Sequence, residues 1–138
     1  MTLSVEDKLQ IHELLARVAY GYDERDLEML ESGFVPQASM SLRVAGGDPV
    51  GPFEGRDNIM TLFRDSMSTQ TDVRRHDVTN IFFRDSEEGL EVVSNLTLFA
   101  TENGITRLLT TGVYQDLIEK TPQGWQIRRR HLDLDSAY

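Results

Sequence analysis

The chain has 138 residues, enough to enclose one hydrophobic core but too few for two ordinary domains. Fourteen Lys and Arg against 23 Asp and Glu give a formal net charge of -9, which repels nucleic-acid backbones and anionic lipid surfaces. The absence of cysteine excludes disulfides, thiolate nucleophiles and thiolate metal ligands. We therefore expect a single domain over residues 1–138 that binds neither nucleic acid nor membrane.

The sequence gives no sign of export or of membrane insertion. No apolar run approaches the roughly 20 residues needed to span a bilayer. Residues 1–7 are polar and acidic, whereas a secretory leader is basic and then apolar. A cytoplasmic protein is the expectation.

Three helices are predicted in the first half of the chain. Ser4 and Asp7 resemble a capping box at the start of the first helix. A short second helix starts near Asp26 and ends at Gly33, in a left-handed C-terminal position, and a third follows Gly55. Each helix carries apolar residues at helical spacing, which indicates one buried side: Ile11, Leu14, Leu15, Val18 and Tyr22, then Leu27 and Leu30, then Ile59, Leu62, Phe63 and Met67.

The remaining segments are predicted to form β-structure. Residues 38–44 alternate apolar and polar side chains, the period of a half-buried strand, and the Gly- and Pro-containing residues 46–52 are predicted to be loop. Residues 74–84, 90–101, 105–118 and 125–134 are separated by turn sequences and should form four consecutive antiparallel strands. Strands this long need marked bending, so we predict an α+β fold in which the helices close a strongly curved sheet around one small-molecule pocket.

His76 is the histidine predicted to have a chemical role. On its predicted strand it shares a face with Val78, Asn80 and Phe82, and a polar ring on a largely apolar face needs a partner or a purpose. Asp23, at the end of the first helix, is the best candidate partner. A carboxylate that accepts one imidazole N–H leaves the other ring nitrogen basic, so the pair could remove a proton from carbon or oxygen. The residues alone also allow a structural interpretation, in which Asp23 terminates its helix and His76 is satisfied within the core.

No metal and no cofactor are predicted. His131, Asp133 and Asp135 alternate along one strand, where same-face positions roughly 7 Å apart diverge too far to share an ion. The sequence also has no Gly-rich phosphate loop and no Ser-centred elbow. Catalysis would therefore depend on ordinary side chains.

Several segments resemble the SnoaL-like family of the nuclear transport factor 2-like superfamily. Tyr22-Asp23 follows an amphipathic helix as in the opening of these proteins, and residues 53–59 are similar to the segment that comes next. Residues 76–80, His-Asp-Val-Thr-Asn, resemble the family's His-containing strand, and residues 112–116 with 124–130 resemble its last two strands. The resemblance covers nearly the whole chain, and the order and spacing of the segments make it fairly specific.

The resemblance implies a cone-shaped fold and, for several relatives, an elimination reaction. In scytalone dehydratase and a hexachlorocyclohexane dehydrochlorinase an Asp and a His act as the base pair, and these match Asp23 and His76. Tyr22 matches a tyrosine that positions substrate in scytalone dehydratase. Arg129 falls near where eliminating relatives place a cation for the leaving group. The predicted substrate-binding residues are Tyr22, Arg129, Tyr20 and Asn80.

Two functions from different classes follow. The first is a cofactor-independent dehydratase, lyase, isomerase or cyclase that uses the His-Asp dyad on a small hydrophobic organic substrate. Its pocket would be lined by apolar side chains: Phe63, Met67, Phe82, Leu96 and Leu98. The second is a non-catalytic structural subunit or binding protein, because residues 127–135 resemble the C-terminus of β subunits of aromatic-ring-hydroxylating dioxygenases. The second pocket histidine of scytalone dehydratase has no evident counterpart, which argues against that particular substrate.

Self-association is expected for either function. A bent sheet leaves one face whose apolar side chains, predicted to be Val93, Phe99, Leu108 and Tyr114, need cover. A homodimer or homotrimer would supply it.

Overall fold

The computed structural model describes residues 2–138, so Met1 of the predicted domain lies outside the described residues. Within this range, helices α1 (Val5–Asp23), α2 (Leu27–Ser32) and α3 (Arg56–Ser68) are interspersed with strands. The strands are β1 (Phe34–Val44), β2 (Val50–Glu54), β3 (Val73–Ser86), β4 (Gly89–Glu102), β5 (Ile105–Thr121) and β6 (Gly124–Leu134).

The strands form one curved sheet in the order β2-β1-β6-β5-β4-β3. Neighbouring strands are antiparallel except for β1 and β6, which run parallel. The predicted α+β fold class is confirmed, and so are the four consecutive antiparallel strands, each slightly longer than predicted. Long strands with strong curvature leave a concave side, and the helices cover it.

The second half of the predicted loop at residues 46–52 is instead the edge strand β2. It pairs with β1, where Met40 is opposite Phe53. An edge strand tolerates Pro52 because only one of its sides must donate hydrogen bonds to a neighbour. Strand β1 itself begins at Phe34, four residues before the predicted start, and there it pairs with Ile127 of β6.

The predicted helix ends are present, with one correction. The hydroxyl of Ser4 accepts the backbone N–H of Asp7 at 3.0 Å, and the carboxylate of Asp7 accepts that of Ser4 at 3.3 Å, which completes the capping box. Asp26 caps α2, and Gly33 follows its last residue. Gly33 is right-handed, with φ of −77°, so the predicted left-handed conformation is wrong. Glycine is needed here for steric reasons, because a Cβ at position 33 would lie only 2.4 Å from Cγ2 of Val18.

The core has two parts. The larger cluster joins buried side chains of α1 and α3, such as Ile11 and Ile59, to Phe34 on β1 and Ile127 on β6. A smaller cluster on the sheet contains Leu96, Leu98, Tyr114, Leu132 and Leu134. Burying one such aliphatic side chain stabilises the fold by about 1.5–3 kcal/mol. Members of both clusters also line the cavity described below.

A β-bulge reverses the alternation of β3 beyond His76. Between Thr79 and Phe82, β3 has one residue more than the facing segment of β4. Asn80 lies in this segment with φ of 55°, in the left-handed region that Asn tolerates better than most residues. The prediction that Asn80 and Phe82 share the inward face of His76 is therefore wrong. Asn80 is exposed, Phe82 is 50% exposed, and Ile81 turns inward instead.

Candidate active site

A cavity of about 330 Å³ lies between the helices and the concave face of the sheet. Most of its wall is apolar and comes from α1, α3, β1 and β6. The side chains that bring polar atoms to it are Tyr22, Ser66, His76, Tyr114, Arg130 and Tyr138. An apolar cavity with a few convergent polar groups is the usual form of a small-molecule site.

The predicted lining is correct for Phe63 only. Phe63 contributes to the cavity wall, whereas Met67, Leu96 and Leu98 are buried in the core around it. Phe82 lies on the outside because of the bulge at Asn80. Part of the apolar wall instead comes from β1 and the end of β6, which sequence reasoning did not connect with the pocket.

Asp23 and His76 are in contact at the point where α1 meets β3. Nδ1 of His76 donates to Oδ1 of Asp23 at 2.5 Å, and the backbone N–H of His76 donates to Oδ2 at 2.8 Å. Both side chains are largely buried, with exposed fractions of 14% for His76 and 7% for Asp23. The predicted contact is thus formed, and the catalytic role of the pair stays a prediction.

Nε2 is the ring nitrogen of His76 that Asp23 does not contact. His76 and Ala19 line both the cavity and a surface groove between α1 and β3, whereas Asp23 lines the groove and not the cavity. The imidazole therefore separates its carboxylate partner from the cavity. Among residues 2–138, none hydrogen-bonds to Nε2, and that atom is not sealed from solvent. Nε2 is therefore the imidazole nitrogen that is left without a protein partner in the described part of the chain.

Tyr22 packs against the dyad from the preceding position of α1. Its ring meets the His76 ring edge-on, with centroids 5.0 Å apart, and the Phe63 ring at 5.7 Å. Its hydroxyl oxygen accepts a hydrogen bond from Nε2 of Gln70 at 2.7 Å. Burial raises the pKa of Tyr22, although the Gln70 hydrogen bond partly opposes this, so the phenol is protonated at neutral pH. The predicted position of Tyr22 beside the dyad agrees with the structure.

Arg130 is the cation in the cavity. It forms a two-point ion pair with Asp116, through Nε at 2.8 Å and Nη2 at 3.0 Å, and its guanidinium lies 4.1 Å from the ring centre of Tyr114. Burial alone would lower the pKa of Arg130, but the adjacent Asp116 carboxylate raises it. Burial also raises the pKa of Tyr114 to about 12, which keeps its hydroxyl a donor.

The predicted substrate-binding Arg129 points away from the cavity. It is bound on the outside by Glu88, at 2.7 and 3.0 Å. The cause is a second bulge. Ile127 is opposite Ile118 and Arg129 is opposite Leu117, so β6 has one residue more than the facing segment of β5. Counting by twos from Trp125 therefore gives the wrong arginine. Counting back from the apolar residues Leu134 and Leu132 would have identified Arg130.

Tyr20 and Asn80 also lie outside the cavity, so the structure does not bring them together with the dyad as predicted. Tyr20 is 57% exposed, because positions two apart on a helix point about 200° apart and Tyr22 faces inward. Asn80 is turned outward by the bulge. Tyr114, predicted on the outer face, is buried on the inner one, where it pairs with Ser94 across β4 and β5.

The predicted absence of a metal remains a prediction. In the part of the chain that the structure describes, no three His, Asp or Glu side chains are grouped as metal ligands would be. His131 instead hydrogen-bonds to Asp133 at 2.9 Å and to Ser41 at 2.8 Å. Over residues 2–138, no helix has the length and apolar character needed to span a bilayer.

Comparison with known proteins identifies the family. The sequence model of the SnoaL-like domain family matches residues 3–131 of this chain. An uncharacterized protein of Mycobacterium tuberculosis is 27% identical over 130 residues, which are 91% of this chain and 84% of that protein.

Solved structures share the fold at lower identity. Aln2 from a Streptomyces species superposes with a TM-score of 0.80 and 20% identity, over 98% of this chain and 95% of that one. An NTF2-like protein with a cystatin-like fold from Novosphingobium aromaticivorans gives 0.77 and 21%, over 94% and 82%. The predicted cone-shaped nuclear transport factor 2-like fold is thereby confirmed. Since the family model spans nearly the whole chain, this protein belongs to the SnoaL-like domain family.

Proposed function

We propose that this protein is a cofactor-independent enzyme acting on a small, hydrophobic, cyclic organic molecule. His76 removes a proton from a carbon next to a carbonyl group, and the product is formed by elimination, isomerisation or cyclisation. The observation that carries the proposal is that His76 lines an apolar cavity while Asp23 holds its Nδ1 and leaves its Nε2 without a protein partner among residues 2–138.

The chemical step needs no group beyond these side chains. The lone pair of Nε2 takes the proton, and the C–H bonding electrons move into the carbonyl group to give an enolate. The imidazolium that forms is stabilised by the Asp23 carboxylate at Nδ1. Return of the proton to another carbon gives isomerisation, loss of a group from the β-carbon gives elimination, and attack of the enolate carbon on a second carbonyl closes a ring.

Arg130 and Tyr114 supply hydrogen-bond donors to the cavity. Nη1 of Arg130 and the hydroxyl of Tyr114 have no hydrogen-bond partner among residues 2–138, and neither atom is sealed from solvent. Donors in a site shielded from water stabilise negative charge on oxygen more strongly than donors in bulk water do. We assign to Arg130 the role that the family resemblance suggested for Arg129, namely binding the oxygen or leaving group that gains charge.

The non-catalytic subunit has less support. A purely structural domain would be expected to fill its cavity with side chains, whereas this one has about 330 Å³ of space beside the dyad. A carboxylate at the C-terminus of α1 is also opposed by the helix dipole, and the last turn has no basic residue to offset it. An arrangement of this kind favours a chemical use for Asp23 over a stabilising one.

The proposal is tested by hydrogen–deuterium exchange at the carbon next to a ketone. Wild-type protein is incubated in D2O with 1-tetralone or 2-tetralone, and loss of the α-proton signal is followed by NMR. The His76→Ala variant should lose about 10²–10⁴-fold in rate, since that is the usual contribution of a positioned base. His12→Ala, which removes an exposed histidine of α1, is the matched control and should exchange like wild type.

Two outcomes would overturn the proposal. One is exchange by folded His76→Ala at the wild-type rate. The other is wild-type protein that exchanges neither ketone faster than the same concentration of free imidazole.

A further inference from the structure

Gln70, in the turn between α3 and β3, is held in place by its own backbone. Its N–H donates to the carbonyl of Met67 at 3.1 Å, and its carbonyl accepts from Nη2 of Arg25 at 2.6 Å. Its side chain reaches Tyr22, where Nε2 donates to the phenol oxygen at 2.7 Å. The side-chain amide nitrogen therefore sits at a fixed point beside the cavity wall.

This contact fixes the polarity of the Tyr22 hydroxyl. An amide nitrogen is a donor only, so the phenol oxygen accepts from Gln70 and its own hydrogen must point elsewhere. Tyr22 lines the cavity, and its ring touches the His76 ring edge-on. The phenol hydrogen is therefore left for another acceptor, which can be the Ser66 hydroxyl or a ligand in the cavity. Ser66, which also lines the cavity, interacts with the Tyr22 phenol and lowers its pKa, and its hydroxyl can donate or accept.

We propose that Gln70 is a positioning residue that keeps Tyr22 a hydrogen-bond donor toward the cavity. The site then selects molecules with an acceptor oxygen, such as a carbonyl, beside the C–H bond that faces His76. The part of His76 in this selection rests on the proposed function. The donor role of Tyr22 does not depend on His76 and rests on the Gln70 contact and on the place of Tyr22 in the cavity wall.

The alternative is that Gln70 only braces the turn, and Gln70→Glu separates the two roles. The change keeps the size of the side chain and its backbone bonds but replaces the donor by an acceptor. Tyr22 would then donate its hydrogen to Glu and lose it for the cavity. Gln70→Leu removes the contact without adding charge and serves if the glutamate variant folds poorly. Gln37→Glu, at an exposed position of β1, is the matched control for charge.

The first readout needs no ligand. Protein labelled with [13Cζ]tyrosine is titrated by NMR, and the Tyr22 signal is assigned as the one missing in Tyr22→Phe. Since Gln70 lowers the pKa of Tyr22, Gln70→Leu should raise it. Gln70→Glu should raise it further, because its carboxylate repels the phenolate, and Gln37→Glu should leave it unchanged.

The second readout is the ratio of the dissociation constants of tetralin and 1-tetralone, which share a ring system and differ in the acceptor oxygen. Loss of one hydrogen bond should reduce the preference for the ketone about five- to tenfold in Gln70→Glu and in Tyr22→Phe, with tetralin binding unchanged. Gln37→Glu should keep the wild-type ratio.

A wild-type ratio in Gln70→Glu, or an unchanged pKa of Tyr22 in both Gln70 variants, would overturn the inference. Its failure is distinguishable from that of the proposed function. If wild type prefers 1-tetralone in a Gln70-dependent way but does not exchange its α-protons, Tyr22 is the predicted donor and His76 is not the predicted base. If exchange depends on His76 but the ratio of dissociation constants is the same with and without Gln70, His76 is the predicted base and Tyr22 is not the predicted donor.

Discussion

Asp23 binds His76 at two points, through its ring Nδ1 at 2.5 Å and its backbone N–H at 2.8 Å. The backbone bond ties the carboxylate to β3, and the ring bond then fixes which imidazole nitrogen carries the hydrogen. The two together orient the imidazole as well as polarise it. Hydrogen bonds thus join the end of a helix directly to a strand residue that is 53 positions away in sequence.

The first prediction concerns the tautomer of His76. Asp23→Asn should lower the rate of ketone exchange about 10²-fold or more, because an amide stabilises the imidazolium poorly and can turn its NH2 group toward Nδ1. The free energy of unfolding should change by less than about 1 kcal/mol, since the lost hydrogen-bond strength is offset by removing a negative charge from the C-terminus of α1. Ketone exchange by NMR and urea unfolding measure the two effects.

Asp77→Asn is the control for this variant, because Asp77 is adjacent to His76 but exposed on the opposite face. Equal rate losses in Asp23→Asn and Asp77→Asn would mean that charge near the groove, and not the contact with Nδ1, is what matters.

The second prediction compares the ion pairs of two neighbouring arginines. Asp116→Ala should lower the free energy of unfolding by about 3–5 kcal/mol, because it leaves the guanidinium of Arg130 buried and unpaired. Glu88→Ala, which breaks the exposed pair with Arg129, should lower it by less than about 1 kcal/mol. Urea unfolding followed by Trp125 fluorescence gives both values. Similar losses in the two variants would contradict the burial of Arg130.

The third prediction tests the bulge on β3. Asn80→Val should destabilise the fold by about 1–2 kcal/mol, since φ of 55° is left-handed and a β-branched side chain opposes it. Asn80→Gly should be nearly neutral, because glycine adopts this conformation without steric conflict. Asn95→Val, at an exposed β4 position opposite Thr79, is the control and should not destabilise. A tolerated Asn80→Val would argue against a left-handed residue at this position.

The fourth prediction is a pH dependence at the start of α1. Bonds from Ser4 above all, and also from Lys120 and Trp125, lower the pKa of Asp7 from 3.8 to about 2. Because the folded value is lower than the unfolded one, the stabilisation is present above pH 3.8 and is lost as the pH falls to about 2.

Asp7→Asn should therefore flatten the decline of the urea midpoint between pH 4 and 2, while Asp48→Asn, in an exposed loop, should decline like wild type. A wild-type decline in Asp7→Asn would assign the acid sensitivity to other carboxylates.

The sequence was sufficient for the local features and for one long-range contact. The capping box at Ser4 and Asp7, the helix after Gly55 and the four final strands follow from short-range rules, because caps, turns and periodicity depend on residues a few positions apart. The pairing of Asp23 with His76 came from chemistry and family resemblance together. A largely apolar strand leaves a histidine few partners, and relatives supply an acid at the helix end.

Which side chains face the cavity was decided by the tertiary structure. Side chains alternate along a strand, so a single bulge residue reverses every later position. Bulges on β3 and β6 turned Asn80, Phe82 and Arg129 outward and brought Arg130 inward. An extra residue exists only relative to the neighbouring strand, and no local pattern records it. The alternation that identifies a strand is local, whereas its phase is set by pairing with strands distant in sequence, and that phase decides which groups line the pocket.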